Sequence, residues 1–127
     1  MKRTLSRAFN PPAPMVPVRV RAPGGLDIAE LEGKLDTGAD LSAVPERCIA
    51  ELDLPPVRTV RAAGFLGNLQ EVIVYRADVE IADMTFPRIE VLATRRPYVI
   101  LGRNVLQHLV VRIDGPKEKL EIRSPRR

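Results

Sequence analysis

Asp36-Thr37-Gly38 is the place in this chain where residue types and their order point most directly to chemistry. The carboxylate follows apolar Leu35 and precedes Gly38, and the apolar pattern resumes at Leu41 and Val44. Asp36 is therefore carried toward the core on the end of an extended segment. A lone carboxylate there is costly, so it requires a partner or a function. The plain alternative is an Asx or Gly turn between two strands, in which Asp36 only caps its own backbone. A second segment, Tyr98-Val99-Ile100-Leu101-Gly102-Arg103-Asn104, is apolar up to the glycine, then places a cation and an Asn at the start of a short helical pattern.

With both segments in view, the sequence resembles the retropepsin-like (retroviral-type) aspartic proteases. That family carries an Asp-Thr-Gly-Ala loop and, later, an apolar-apolar-Gly segment followed by Arg-Asn and a short helix. Leu35 to Asp40 and Ile100 to Leu106 match in that order, separated by enough chain for a flap hairpin. The resemblance implies Asp36 as the catalytic residue and Thr37, Gly38 and Ala39 as the active-site loop. It implies a salt bridge between Asp40 and Arg103, and a second motif of Ile100, Leu101, Gly102 and Asn104. If that salt bridge is buried, its loss should cost about 3–5 kcal/mol. Gly64, Phe65, Leu66 and Gly67 are the flap-tip candidates.

Further implications follow from the single Asp-Thr-Gly. In the family two such loops share one water, so one chain must find its second loop in another copy, as a two-fold homodimer. Like-charged carboxylates that close share a proton, so one can take a proton from water while the other protonates the substrate carbonyl. The resemblance thus implies an aspartic endopeptidase acting on an extended polypeptide, with no metal, no cofactor and no covalent intermediate. Thr37 would reach across the two-fold axis to the partner loop, and Gly38 would let backbone and substrate approach closely.

The elements needed to position these residues read as short strands. Val16 to Val20 alternates; Pro23-Gly24-Gly25 turns; Leu26 to Glu32 alternates again, giving a hairpin. Gly33-Lys34-Leu35 leads into the Asp36 loop, and Leu41 to Val44 resumes extended chain. Pro45 to Leu52 has a helix opening and helical apolar spacing, ended by Pro55-Pro56. Val57 to Ala63 and Leu69 to Ile81 suggest a long projecting hairpin. Phe86 to Ala93, Tyr98 to Leu101, Val110 to Ile113 and Leu120 to Ile122 are further strands, with one or two helical turns at Asn104 to Leu109. The expected fold is mainly β: a small closed barrel with one or two short helices, which the resemblance specifies as the retropepsin-like type, one lobe per chain.

At 127 residues the chain suits one domain, and a composition 45% hydrophobic and 28% charged is globular. Aromatics are only 4% and Trp is absent, so the core must come from Val, Leu, Ile and Ala. Cys48 reads as a small buried hydrophobe; with one Cys and one His, a conventional zinc site is excluded. No apolar run approaches a membrane span and no signal-peptide block opens the chain, so a cytoplasmic location without membrane contact is expected.

The net charge of +4 lies in the arms: Lys2, Arg3 and Arg7 at one end, Arg123, Arg126 and Arg127 at the other, leaving the body slightly acidic. Residues 1–15 read as a flexible Pro-rich basic leader that forms neither helix nor sheet interior, 16–122 as the protease domain and 123–127 as a basic tail. Arg95 and Arg96 read as loop charges, and His108 has no role in this chemistry. The acidic body and missing stacking residues argue against a nucleic-acid partner. The competing reading is a catalytically weak or inactive dimer of the same fold, acting as a peptide-binding or assembly module.

Overall fold

Valine alternation sets the architecture. In the computed structural model, which describes residues 1–63 and 67–125, β2 (Met15–Arg21) buries Val16, Val18 and Val20 and turns Pro17 outward. It pairs antiparallel with β3 (Ala29–Leu35) along most of its length, and with β6 (Leu69–Ile81) only at Arg19 to Arg21. Pro17 thus sits where one edge of β2 lacks a second neighbour, a position that tolerates its missing N–H.

The remaining strands are β4 (Ser42–Pro45), β5 (Pro56–Ala63), β7 (Met84–Thr94) and β8 (Val99–Leu101), with α1 (Glu46–Glu51) after β4 and α2 (Arg103–Leu106) after β8. The sheet order is β2-β3-β8-β4-β7-β6-β5, and the additional β2–β6 pairing closes six of these strands into a barrel. Arg19 and Arg21 both donate to the Glu80 carboxylate, at 3.0 and 2.9 Å, across that closure. β5 lies outside the ring on β6, forming the long hairpin. The interior is aliphatic: Val44, Val74, Val79, Val91, Val99, Leu101 and Val105 are fully buried, and Cys48 is buried among them. The mainly β closed barrel and its two short helices are as the sequence predicts.

Some boundaries move. Leu26 to Glu32 and Gly33 to Leu35 fuse into one strand starting at Ala29, which leaves Leu26 and Ile28 exposed. α2 starts one residue earlier than expected and ends at Leu106.

The leader is a larger correction. Residues 1–15 are docked: β1 (Lys2–Thr4) pairs antiparallel with β10 (Lys119–Arg123), which pairs with β9 (Val110–Asp114) in a separate three-stranded sheet. Leu5 and Ala13 are buried, Ser6 and Ala13 form a bridge, and Arg7 makes a two-pronged contact with Glu118 at 2.8 and 2.9 Å. Phe9 meets the Tyr98 ring edge-on at 5.4 Å and carries the Lys34 ammonium 5.0 Å above its centroid. Arg123, expected in a tail, closes β10 opposite Val110. The polar Lys-Arg-Thr triplet has no apolar alternation, and its partner lies at the far end of the chain, so local reading misses it.

Leu5 is 7% exposed within the core cluster. Leu5→Ala is expected to cost about 2 kcal/mol through the lost burial and the cavity left behind, read as a lower urea midpoint. An unchanged midpoint would mean that the leader is not docked in solution.

Candidate active site

The Asp36 loop leaves β3 at Leu35, directly beside β8, whose Leu101 pairs with Leu35 in parallel register. The Asp36 N–H donates to the Leu101 carbonyl at 2.9 Å, so the last ladder bond of β3 fixes the aspartate's backbone. The chain then turns: the Gly38 N–H donates to Asp36 Oδ1 at 2.9 Å and the Ala39 N–H to the Asp36 carbonyl at 3.3 Å. The Asx turn is therefore present, but as part of a larger assembly. Asp36 is half-buried, while Thr37 and Gly38 are exposed.

The second motif clamps this loop from behind. Arg103 N–H donates to the Ala39 carbonyl at 2.8 Å and Asn104 N–H to the Asp40 carbonyl at 3.3 Å. The Arg103 guanidinium donates to the Thr37 carbonyl at 2.7 Å and pairs with the Asp40 carboxylate. A side chain at Gly102 has nowhere to go: a Cβ there would lie 2.6 Å from the Leu41 carbonyl oxygen and 2.9 Å from that of Ala39. Glycine is required here by close backbone approach, with ordinary φ. At Gly38 an added Cβ would stand 3.2 Å from Asp36 Oδ1, against the carboxylate itself.

One residue of this clamp escapes the sequence reading. Ser42 is the buried polar side chain of the described core, with no exposed surface. Its hydroxyl donates to Asn104 Oδ1 at 2.8 Å and accepts the Gly102 N–H at 3.0 Å, while its own N–H also donates to Asn104 Oδ1 at 3.1 Å. Asn104 Nδ2 then donates to the Glu90 carbonyl on β7 at 2.8 Å. The available signal was a serine where β4 needs an inward apolar residue, since Ser42 and Val44 point the same way.

The structure thus brings Asp36, Thr37, Gly38, Ala39, Asp40, Leu101, Gly102, Arg103 and Asn104 together. Leu101 is fully buried, and Ile100 of β8 pairs with Lys34 of β3 and Ala43 of β4. The Asp40–Arg103 pair is not buried: its side chains are 83% and 53% exposed, so the energetic expectation for a buried pair does not apply. Of the flap-tip candidates, Gly64, Phe65 and Leu66 lie outside the described residues. Gly67 takes a left-handed φ of 80° on the return into β6. On the described strands of this hairpin, Val60, Ala62 and Val72 are half-buried.

Glu90 ties the clamp to the hairpin. Its carboxylate accepts from Arg58 on β5 at 2.7 and 3.1 Å, and Arg76 on β6 lies 4.0 Å away. The Arg58 hydrogen bonds hold the Glu90 carboxyl below its ordinary value, against an opposing effect of burial. Arg19 with Arg21, and Arg7, do the same for Glu80 and Glu118.

An aspartyl protease family model matches residues 16–105, spanning both motifs. The chain belongs to the aspartyl protease family. Its fold is similar to a retropepsin-like aspartic protease from Rickettsia conorii, with 18% identity, a TM-score of 0.59 and coverage of 94% of this chain and 88% of that one. It is similar also to the simian foamy virus protease, at 23% identity and TM-score 0.55 over 72% of this chain and 91% of that one. The EIAV protease complexed with the inhibitor HBY-793 matches at 24% identity and TM-score 0.52, over 75% and 86% of the two chains. No curated protein sequence matches significantly.

Two predictions follow from the clamp. Ser42→Ala strands the Gly102 N–H and removes one of the two donors to Asn104 Oδ1, and is expected to cost about 1–3 kcal/mol. Arg103→Ala breaks an exposed pair and should cost only about 0.2–1 kcal/mol through that contact. Chemical denaturation of both variants checks this order; Arg103→Ala as the more damaging would refute it. For pH, the three lowered glutamates contribute stability in full above their ordinary value of 4.5 and lose it as pH falls through their lower folded values. Melting temperature should be flat above that value and drop below it, and Glu90→Gln should blunt the drop.

Proposed function

We propose that this chain is half of a homodimeric aspartic endopeptidase, in which two Asp36 side chains, one per subunit, activate a single water to hydrolyse a peptide bond. The observation that carries this reading is the clamped Asp36 loop. Five backbone or side-chain contacts from the β8–α2 segment, itself braced by Ser42, fix the loop from inside, yet Thr37 and Gly38 face outward and Asp36 stays half-exposed. A mere turn has no need of such support.

The chemistry needs a second copy because the chain holds one Asp-Thr-Gly. At about 3 Å, two carboxylates repel by about 5 kcal/mol at an effective dielectric of 20. One proton is therefore shared between the two. The ionised carboxyl removes a proton from the water as its oxygen attacks the carbonyl carbon. The protonated one gives its proton to the carbonyl oxygen, yielding a tetrahedral diol. Collapse of the diol, with proton transfer to the leaving nitrogen, breaks the C–N bond. Thr37 would hold the partner loop, and the β5–β6 hairpin would cover an extended polypeptide bound through its backbone, with Val60, Ala62 and Val72 toward apolar side chains.

Asp36→Asn is expected to retain the dimer by sedimentation while peptide-library cleavage falls about 10²–10⁴-fold across acidic to neutral pH. Equal cleavage by the variant would remove Asp36 from catalysis. Equal peptide binding with no cleavage by either protein would favour the binding module.

A further inference from the structure

The docking of the leader changes what the basic arms are. β1, β9 and β10 bring the two ends of the chain into one sheet, and its register decides which side chains share a face. Lys2 stands opposite Glu121, Glu121 opposite Arg112, and Lys119 opposite both Thr4 and Asp114. All of these project from the outer face, because the alternate residues Leu120 and Ile122 point into the core. The result is a concave surface enclosing about 800 Å³, which Arg3 and Lys117 also line. None of its lining residues belongs to the Asp36 loop, the clamp or the β5–β6 hairpin.

Charge on this surface is unbalanced. Arg112, Lys117 and Lys119 have no carboxylate within salt-bridge distance among the described residues, and Lys2 reaches Glu121 only at 3.8 Å. Asp114 is occupied in accepting the Lys117 N–H at 3.0 Å, which closes the β9–β10 turn. Five cations thus line this surface against two anions, Asp114 and Glu121, and of the five only Arg3, held by Glu32 at 3.2 Å, has a close carboxylate partner.

We propose that this face is a docking site for an acidic stretch of polypeptide, remote from the cleavage site. An acidic peptide fits better than nucleic acid for two reasons. No aromatic side chain lines the surface, so bases have nothing to stack on. Glu121 lies in the middle of the cations, where it would repel an evenly spaced phosphate chain but can be avoided by irregularly spaced Asp and Glu side chains. β9 adds a second means of recognition: among the described residues it pairs with β10 alone, so its outer edge can accept an extended segment through backbone hydrogen bonds. A second copy pressed face to face would oppose like charges. Tethering a substrate here would raise its local concentration at the active site, but the binding itself does not depend on Asp36 or on catalysis.

The test is fluorescence anisotropy of the full chain with a labelled oligoglutamate peptide, a length-matched Gly-Ser peptide and a single-stranded oligonucleotide. Oligoglutamate should bind most tightly, weaken as salt rises, and lose about tenfold or more in affinity with Lys117→Glu plus Lys119→Glu, both exposed positions. Circular dichroism and the melting temperature should confirm that the double variant folds; Lys117→Gln plus Lys119→Gln should give an intermediate loss. Oligoglutamate binding no better than Gly-Ser, binding unchanged by charge reversal, or tighter oligonucleotide binding would each overturn the proposal. Asp36→Asn should bind oligoglutamate as well as the wild type, which separates this result from the outcome for catalysis.

Discussion

The site depends on one close approach. Gly102 lies so near the Leu41 and Ala39 carbonyls that the β8–α2 segment and the Asp36 loop are in backbone contact. Each of the other clamp interactions exploits that proximity. The Arg103 and Asn104 N–H groups reach loop carbonyls only because no Cβ holds the segments apart, and Ser42 can bridge Gly102 and Asn104 only at that separation. The barrel places the two segments side by side by pairing β3 and β8 in parallel, so that both leave the sheet at the same end. A parallel pair needs a long connection, and here the connection contains β4 to β7, which complete the barrel.

Polar groups are distributed in this site by their exposure. The Ser42–Asn104 network is inside, where an unmet donor or acceptor is expensive, and every member has a partner. The Asp40–Arg103 pair is at the surface, where charge attraction is weakened by water. Its contribution is geometric: the same guanidinium holds the Thr37 carbonyl, and so fixes the outward direction of the exposed part of the loop. The carboxylate–guanidinium contact is the more conspicuous feature in a sequence, but the serine is the buried one.

Legibility in the sequence followed locality. β6 could be read to its last residue because thirteen residues of dense β-branched pattern need no outside information. The Asp36 loop and the Gly102-Arg103-Asn104 segment were legible because glycine, charge and apolar runs mark them in a fixed order. Ser42 was not, since a serine in a strand has no distinctive neighbour until Asn104 is brought to it. β1 was not, because Lys-Arg-Thr becomes a strand only when β10 supplies the other half of the ladder. The charge of the arms was correctly counted but wrongly dispersed: a linear count cannot show that two ends of the chain share one sheet.

Rigidity within one subunit bears on how the proposed pair would assemble. Ordering a loop during association subtracts from affinity, and each immobilised residue adds to the cost. Here the Asp36 loop is already fixed by contacts within its own chain, so a partner has only to align two finished surfaces. The leader points the same way: β1 is already paired with β10 of the same chain. A dimer built on such subunits would bring two preformed loops together. Its catalytic state would then depend on protein concentration. An endopeptidase arranged in this way would be silent when dilute and active where copies accumulate.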